Sequence, residues 1–316
     1  MSREQAQVFP LKDEGALPRI GVVGVGAVGT TLAWGLAARG YPVAAVMSRT
    51  PAAAAWLANR LPGCQVASSP AEVAALAEVI LLTVPDDALA DVAALIPWHS
   101  GLAAIHCSGA TPARALAIAG EQGALFGSFH PLLSIPHSRP ASAEEALGRL
   151  AGCTFAIEAP VSLTATLEEM AHRLGARAIV LREQDRVPYH LAAVLTSNYL
   201  VTLVSAATDL WAQFGVSREQ ALAALSPLLR SALVNLEQLG LPQSLTGPIA
   251  RGDVGTVRAH LDYLADPKET PLEEATLLDE AYRALGLLSL PIAIEKGRLE
   301  QEQAASLKRL LTDDGS

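Results

Sequence analysis

The absences in this sequence narrow its class first. Cysteine is scarce: Cys64, Cys107 and Cys153 form an odd set with no paired spacing. Neither a disulfide framework nor a thiolate metal cage is expected, and no metal site is read. That usage suits a reducing, cytoplasmic compartment. Basic residues are outnumbered, 23 Lys and Arg against 32 Asp and Glu, for a formal net charge of -9. Nucleic acid and anionic membranes are recognised through clustered cations, so neither is expected as the main partner, and a small-molecule substrate is the better expectation. Met1 to Arg19 is mixed polar and charged; with no apolar core segment it predicts no secretory signal and reads as a loose lead-in. No clean hydrophobic run is present either. The most apolar window, Leu191 to Thr208, is interrupted by Thr196, Ser197, Asn198, Thr202 and Ser205, which predicts a buried helix of a soluble protein and no membrane span. Internal repeats and low-complexity segments are also missing, apart from general alanine enrichment.

What is present is organised around Arg19-Ile-Gly-Val-Val-Gly-Val-Gly-Ala-Val-Gly29, a short apolar strand running into a glycine-punctuated helix start. Gly24, Gly26 and Gly29 form GxGxxG, in which the first glycine allows a tight turn, the second lets backbone approach a pyrophosphate, and the third lets helix and strand pack closely. The pyrophosphate would sit on the free N–H groups and positive end of a helix opening at Ala27 and Val28. The other reading of the same residues is a plain glycine-rich turn.

With 316 residues, 51% of them hydrophobic, the chain is long enough for two domains. Up to Arg182 it alternates β-branched apolar runs with alanine-rich helical stretches, the pattern of a parallel sheet covered on both faces. Strands are predicted near 19–24, 42–47, 65–67, 79–84, 103–106, 124–129, 153–158 and 177–182. Beyond that the strand signal stops and long helical patterns follow, beginning with Val187 to Phe214. The expected fold is therefore α/β, a Rossmann-type, mostly parallel sheet over residues 1–183 followed by an all-helical substrate and dimerisation domain over 184–316. Ser217 with Gln220 and Thr270 with Glu273 have capping-box spacing, Pro271 suits a first helical turn, and Pro227 should kink or split its helix.

In such a sheet the end of the second strand meets the adenosine ribose, where NAD sites carry an acidic residue. Here Ser48-Arg49-Thr50 offers a cation and hydroxyls, which favours NADP over NAD; Arg49 as a solvated loop residue is the alternative. Val84 and Pro85 at the end of the fourth strand would line the nicotinamide side. Asp86 and Asp87 can be read as paired acid/base carboxylates, but N-capping of the next helix is the simpler expectation.

Together with Ser48-Arg49 and the glycine turn, Val84-Pro85-Asp86-Asp87, His106-Cys107-Ser108-Gly109-Ala110, Gly127-Ser128-Phe129-His130-Pro131-Leu132, Tyr189-His190, Ser197-Asn198-Tyr199 and Leu245 to Asp253 make the chain resemble a family that pairs a Rossmann-like domain with an all-helical domain of unknown function. The resemblance covers nearly the whole chain. That family looks like a branch of the wider group of 6-phosphogluconate and β-hydroxyacid dehydrogenases, ketopantoate reductase and pyrroline-carboxylate reductase, and the resemblance implies hydride transfer with NADP and a helical domain that often dimerises. The loops after the fifth and sixth strands are also similar to those of prephenate dehydrogenases, in which a serine and a histidine flank the nicotinamide and the histidine acts on the substrate hydroxyl. Ser108 and His130 match these by motif and approximate spacing. The arginine-bearing helical segment of prephenate dehydrogenases and the catalytic lysine of β-hydroxyacid dehydrogenases have no counterpart here.

Reducing a carbonyl, or oxidising an alcohol, needs a group that trades a proton with oxygen while hydride moves at carbon. His130 is the leading candidate, with a structural histidine as the alternative. On the first long helix of the second domain, His190 and Ser197 fall on one line with Asn198 adjacent. His130, Ser108, His190 and Asn198 are thus candidate catalytic groups, and Ser197, Thr246 and Arg251 candidate substrate contacts. An Arg251–Asp253 pair holding a tight loop is the competing reading of that segment. His106 reads as a strand-end residue, and Cys107 has no activating base nearby in sequence. The expected function is an NADP-dependent oxidoreductase of a small, anionic carbonyl, hydroxy or imine compound, working as a homodimer; an NADP-binding sensor or scaffold without turnover is the alternative.

Overall fold

The computed structural model describes Phe9, residues 16–266 and residues 275–312. Ile20–Val23 (β1), Val43–Met47 (β2), Gln65–Val66 (β3), Val79–Leu82 (β4), Ala103–His106 (β5), Leu125–Pro131 (β6), Thr154–Glu158 (β7) and Arg177–Val180 (β8) are the strands. They form one sheet in the order β3-β2-β1-β4-β5-β6-β7-β8. All neighbours run parallel except β6 and β7, which pair antiparallel. The fold class is the one expected, with strands at every predicted place.

Helices cover both faces, and the strand side chains show why. Successive strand residues point to opposite sides: Ile20, Val22, Val79, Leu81, Ala103 and Ile105 enter one buried cluster, while Val23, Ile80, Leu82 and Ala104 enter another. Such two-sided burial is why these strands read as unbroken apolar runs. The first cluster is closed by Ala27–Ala38 (α1) and Pro51–Ala58 (α2), and the second by Pro70–Leu76 (α3), Leu89–Ala94 (α4) and Ala117–Glu121 (α5); Ala143–Leu150 (α6) and Val161–Arg173 (α7) complete the first. The lead-in is not wholly loose. Phe9 is buried, its N–H donates to the Ser162 carbonyl (3.0 Å), and its carbonyl accepts from Thr166.

The remaining helices are Arg186–Ala193 (α8), joined by a π-helical turn at Val194–Asn198 to Tyr199–Ala212 (α9), then Arg218–Leu239 (α10), Val254–Ala265 (α11), Ala275–Glu295 (α12) and Gln301–Thr312 (α13). The chain divides into compact units at Ser197/Asn198, later than the expected 183/184. The reason is that Arg186, at the start of α8, bonds to the sheet unit. The Ser217–Gln220 capping box is present in both directions; Thr270, Pro271 and Glu273 lie outside the described residues.

Two expectations need correction. Pro227 does not split its helix: α10 runs 22 residues through it. Only one ladder donor is missing there, and the Ser226 hydroxyl adds a bond to the Leu222 carbonyl in the same turn (2.7 Å). The Leu191–Thr208 window is not buried within this chain. The helical stretch Glu183–Ala212 is long and apolar enough to cross a membrane by length and composition, but 6% of its most apolar window is buried. Leu191, Leu195, Tyr199 and Val201 remain exposed because this chain's own cores close elsewhere.

Candidate functional site

The glycine turn follows from local sterics. Gly24 has φ +106°, a conformation that side chains resist, and a Cβ there would lie 2.6 Å from the Thr83 carbonyl oxygen. At Gly29 a Cβ would lie 2.1 Å from the Gly24 carbonyl oxygen, so helix α1 can approach β1 only without one. At Gly26 a Cβ would meet nothing within 4 Å; this is the open position. Gly26 caps α1 without a side-chain bond and the first turn holds no acidic residue. The first N–H groups, around Ala27 and Val28, are therefore left for an anion. Thr83 secures the turn through its hydroxyl, 2.5 Å from the Gly24 carbonyl.

At the end of β2, the Ser48 hydroxyl accepts the Thr50 N–H (3.2 Å). Arg49 is exposed, and among the described residues it has no carboxylate partner. These residues could hold a phosphate at the ribose end, and Val84 and Pro85 sit at the mouth of β4. Asp86 does not cap a helix, contrary to expectation. The 3-10 turn Asp86–Ala88 and α4 both lack a side-chain cap, and the Asp86 carboxylate instead accepts from Ser108 (2.6 Å) and Thr111 (3.0 Å). The Ser108 hydroxyl also accepts the N–H groups of Ala110 (3.2 Å) and Thr111 (2.9 Å). It is committed to fastening the turn after β5 to the turn after β4.

Sheet register then assembles a polar row that no local pattern announces. His106 pairs with Ser128, and Ser128 with Glu158, across β5, β6 and β7. Paired residues share a face, so these side chains stand side by side on the face of the second cluster, with His130 next along β6. His130 lies inside the strand and not in a loop, because antiparallel β7 continues to pair through Pro131. Over the row lies Arg186, 1% exposed. Its Nε and Nη2 each stand 2.7 Å from Glu158 Oε2, Nη1 donates to the carbonyls of Ser108 (3.1 Å) and Gly109 (3.2 Å), and Nη2 meets the Ser128 hydroxyl. Glu158 uses its other oxygen to accept the Ala113 N–H (3.1 Å).

His130 Nδ1 is 2.7 Å from the Tyr189 hydroxyl, and its ring centroid is 6.5 Å from that of His190. Gly109 makes this possible: a Cβ there would lie 2.8 Å from His130 Nε2 and from His190 Nδ1. His190 Nδ1 is buried with no hydrogen-bond partner among the described residues. Burial first, then His190 and Arg186, push His130 down to about 4; burial and Arg186 do the same to His106. Both rings are neutral near pH 7. Burial pushes Tyr189 up to about 12, so it keeps its proton, and likewise Cys107, which stays a thiol.

The structure thus brings His130, Ser108 and His190 together with Tyr189, Gly109, Arg186 and Glu158, whose roles the sequence reading missed. Tyr189 stands in one of the motifs above and Gly109 in another; Glu158 ends a predicted strand, and Arg186 belongs to no motif. Ser197 and Asn198 fall within the π-helical turn, whose i→i+5 bonding breaks the 3.6-residue line expected to join them to His190. In the second unit Thr246 and Arg251 are exposed. Asp253 caps α11 by accepting from the Thr256 N–H (3.0 Å) and hydroxyl (2.7 Å), so an Arg251–Asp253 pair does not hold that loop.

Two domain families match the chain: a Rossmann-like domain over residues 10–131 and DUF2520, a domain of unknown function, over residues 153–288. No curated protein matches at a significant level. Among solved structures, a Bacteroides fragilis protein provisionally described as an NADP oxidoreductase is 23% identical, with a TM-score of 0.64 over 86% of this chain and 98% of that one. An imine reductase from Pseudomonas is 20% identical, with a TM-score of 0.63 over 94% of this chain and 100% of that one. A reductive aminase from Aspergillus terreus, solved with NADPH and ethyl-5-oxohexanoate, is 20% identical, with a TM-score of 0.56 over 94% of this chain and 93% of that one. These likenesses show a shared fold.

Proposed function

Because the chain pairs a Rossmann-like domain with a DUF2520 domain, we propose that it is an NADP-dependent oxidoreductase that reduces a C=O or C=N bond of a small molecule, or oxidises the product. The observation that carries the reading is the His130–Tyr189 hydrogen bond on the strand beside the β4 and β5 mouths, three inter-strand spacings, about 14 Å, from the glycine turn on β1. Ligands of open α/β sheets lie along that carboxyl edge. The α1 N-terminus and Gly26 would take the pyrophosphate, Ser48, Arg49 and Thr50 the 2′-phosphate, and Val84 and Pro85 the nicotinamide side. NADPH, when bound, supplies the hydride.

The chain's own part is the proton. With Tyr189 donating to Nδ1, the imidazole proton sits on Nε2, the atom facing the Gly109 side. As charge develops on the substrate oxygen or nitrogen, Nε2–H is released to it while Nδ1 receives the Tyr189 proton and solvent passes a proton to the Tyr189 oxygen in the same step, so that no tyrosinate forms. The ring passes from one neutral tautomer to the other. That route avoids an imidazolium, which burial and Arg186 disfavour here. Ser108 and Asp86 set the turn geometry. His190 Nδ1 offers a further polar contact to substrate. The likeness to imine reductase and reductive aminase folds supports testing imines beside 2-keto acids first in a substrate screen.

The exposed apolar surface of α8 to α10 and of α12 supports a homodimer built through the helical half, and the unpaired cysteines support a cytoplasmic setting. The experiment is a screen of NADPH oxidation against cyclic imines and 2-keto acids, with Tyr189→Phe and His130→Asn beside the parent. Turnover that falls about a hundredfold in both variants is the expected result; NADPH binding with no turnover across the screen favours a sensor.

A further inference from the structure

Arg186 moves no proton in the scheme above, but no group in the site is better connected. All three guanidinium nitrogens have acceptors: Nε donates to Glu158, Nη1 to the Ser108 and Gly109 carbonyls and Nη2 to Ser128, with Nη2 also in ion-pair contact with Glu158 Oε2. Those acceptors come from β7, from β6 and from the turn after β5, and Glu158 extends the set to the Ala113 N–H. Arg186 itself opens α8, where Tyr189 and His190 follow at i+3 and i+4 and so share its side of the helix. One planar fork therefore links the helix carrying Tyr189 and His190 to the turn in which Gly109, lacking a Cβ, leaves room for both His130 and His190.

We propose that Arg186, braced by Glu158, is a positioning residue that holds α8 against the Gly109 turn so that Tyr189 meets His130 Nδ1 and the proton stays on Nε2. Its catalytic consequence rests on the proton relay proposed above; its geometric content does not. The fork shape matters as much as the charge. A lysine would bring the same charge from a single nitrogen and could not reach three elements in one plane.

The test uses the full-length protein with histidine ring nitrogens labelled for NMR, comparing the parent with Arg186→Lys, Glu158→Gln and Tyr189→Phe. The readouts are melting temperature, NADPH affinity by fluorescence, His130 tautomer, and turnover on whichever imine or keto acid is reduced. His130 is faced by Asp86 from the β4 turn, His106 from β5, and Arg186, Tyr189 and His190 from α8. Arg186→Lys keeps that set of charges, so a change of tautomer there reports position. The expected result is a folded Arg186→Lys protein that binds NADPH like the parent, shows mixed His130 tautomers as Tyr189→Phe does, and loses about tenfold to a hundredfold in kcat with KM nearly unchanged. An unchanged tautomer in Arg186→Lys and Glu158→Gln overturns the proposal, as does unfolding of both, which makes the pair a fold-holding element only. If the tautomer shifts while His130→Asn turns over like the parent, the positioning stands and the relay fails.

Discussion

The sheet unit and the helical unit solve burial in opposite ways. In the sheet unit even a guanidinium is 1% exposed, with an acceptor for each of its nitrogens, and the sheet is covered on both faces. The helical unit has a small core around Val257, Leu261, Leu290 and Leu307, while Leu228 (64%), Leu288 (69%) and Val201 (70%) stay exposed. Apolar surface of that extent on a long helix is not how a self-sufficient unit ends. The contrast teaches how differently the two parts close: the sheet unit buries both faces of its sheet, while the helical unit leaves apolar faces that the proposed homodimer would cover.

The strongest attempt to break the contrast is Arg186→Met. Removing the cation strands a buried Glu158 carboxylate, and urea unfolding should show a loss of about 3–5 kcal/mol. A loss below about 1 kcal/mol would mean that the polar row is not a closed network. Next in size, His130→Asn should lower turnover by about a hundredfold while changing NADPH affinity little.

The same residue has a pH signature. The folded ring is held near 4 against an ordinary value of 6.5, so the unfolded chain binds the proton more readily. Stability from this source is present above about 6.5 and is lost as pH falls toward about 4, with His106 adding in the same window. In His130→Asn the slope of melting temperature against pH between those values should be shallower than in the parent.

On the helical side, Leu228→Glu together with Leu233→Glu on the exposed face of α10 should leave the sheet unit folded and shift light scattering from dimer to monomer. A parent that is monomeric at micromolar concentration without detergent removes the proposed homodimer. The smallest effect is expected at Arg49→Glu: about a tenfold weaker affinity for NADPH, little change for NADH, and stability within about 0.5 kcal/mol of the parent, because Arg49 is exposed. Equal loss for both cofactors would take the 2′-phosphate away from this residue.

Much of the fold was legible because it depends on neighbours in sequence. The glycine turn could be read from three residues, since Gly24 needs positive φ and Gly29 needs a missing Cβ within one turn of chain. The strands could be read because residues buried on both faces leave no polar alternation. The site was legible only in part. Ser108 and His130 were visible as motif residues, but Ser108 is spent on Asp86 and on the turn, and His130 sits in a strand that β7 lengthens. Asp86 could not be read correctly, because its partners arrive from the next strand's turn and not from its own helix.

By itself the sequence determined the β1–α1 glycine turn, the alternation that builds a two-faced sheet, and the change to helices after it, all of which rest on backbone sterics and the spacing of apolar side chains. Only the tertiary structure decided that His106, Ser128 and Glu158 form one row, that Arg186 closes it, and that Tyr189 faces His130. The physical reason is register. Those residues lie on separate strands and a helix, and their partnership exists only once parallel and antiparallel pairing has set which positions stand side by side and burial has made each unmet hydrogen bond costly.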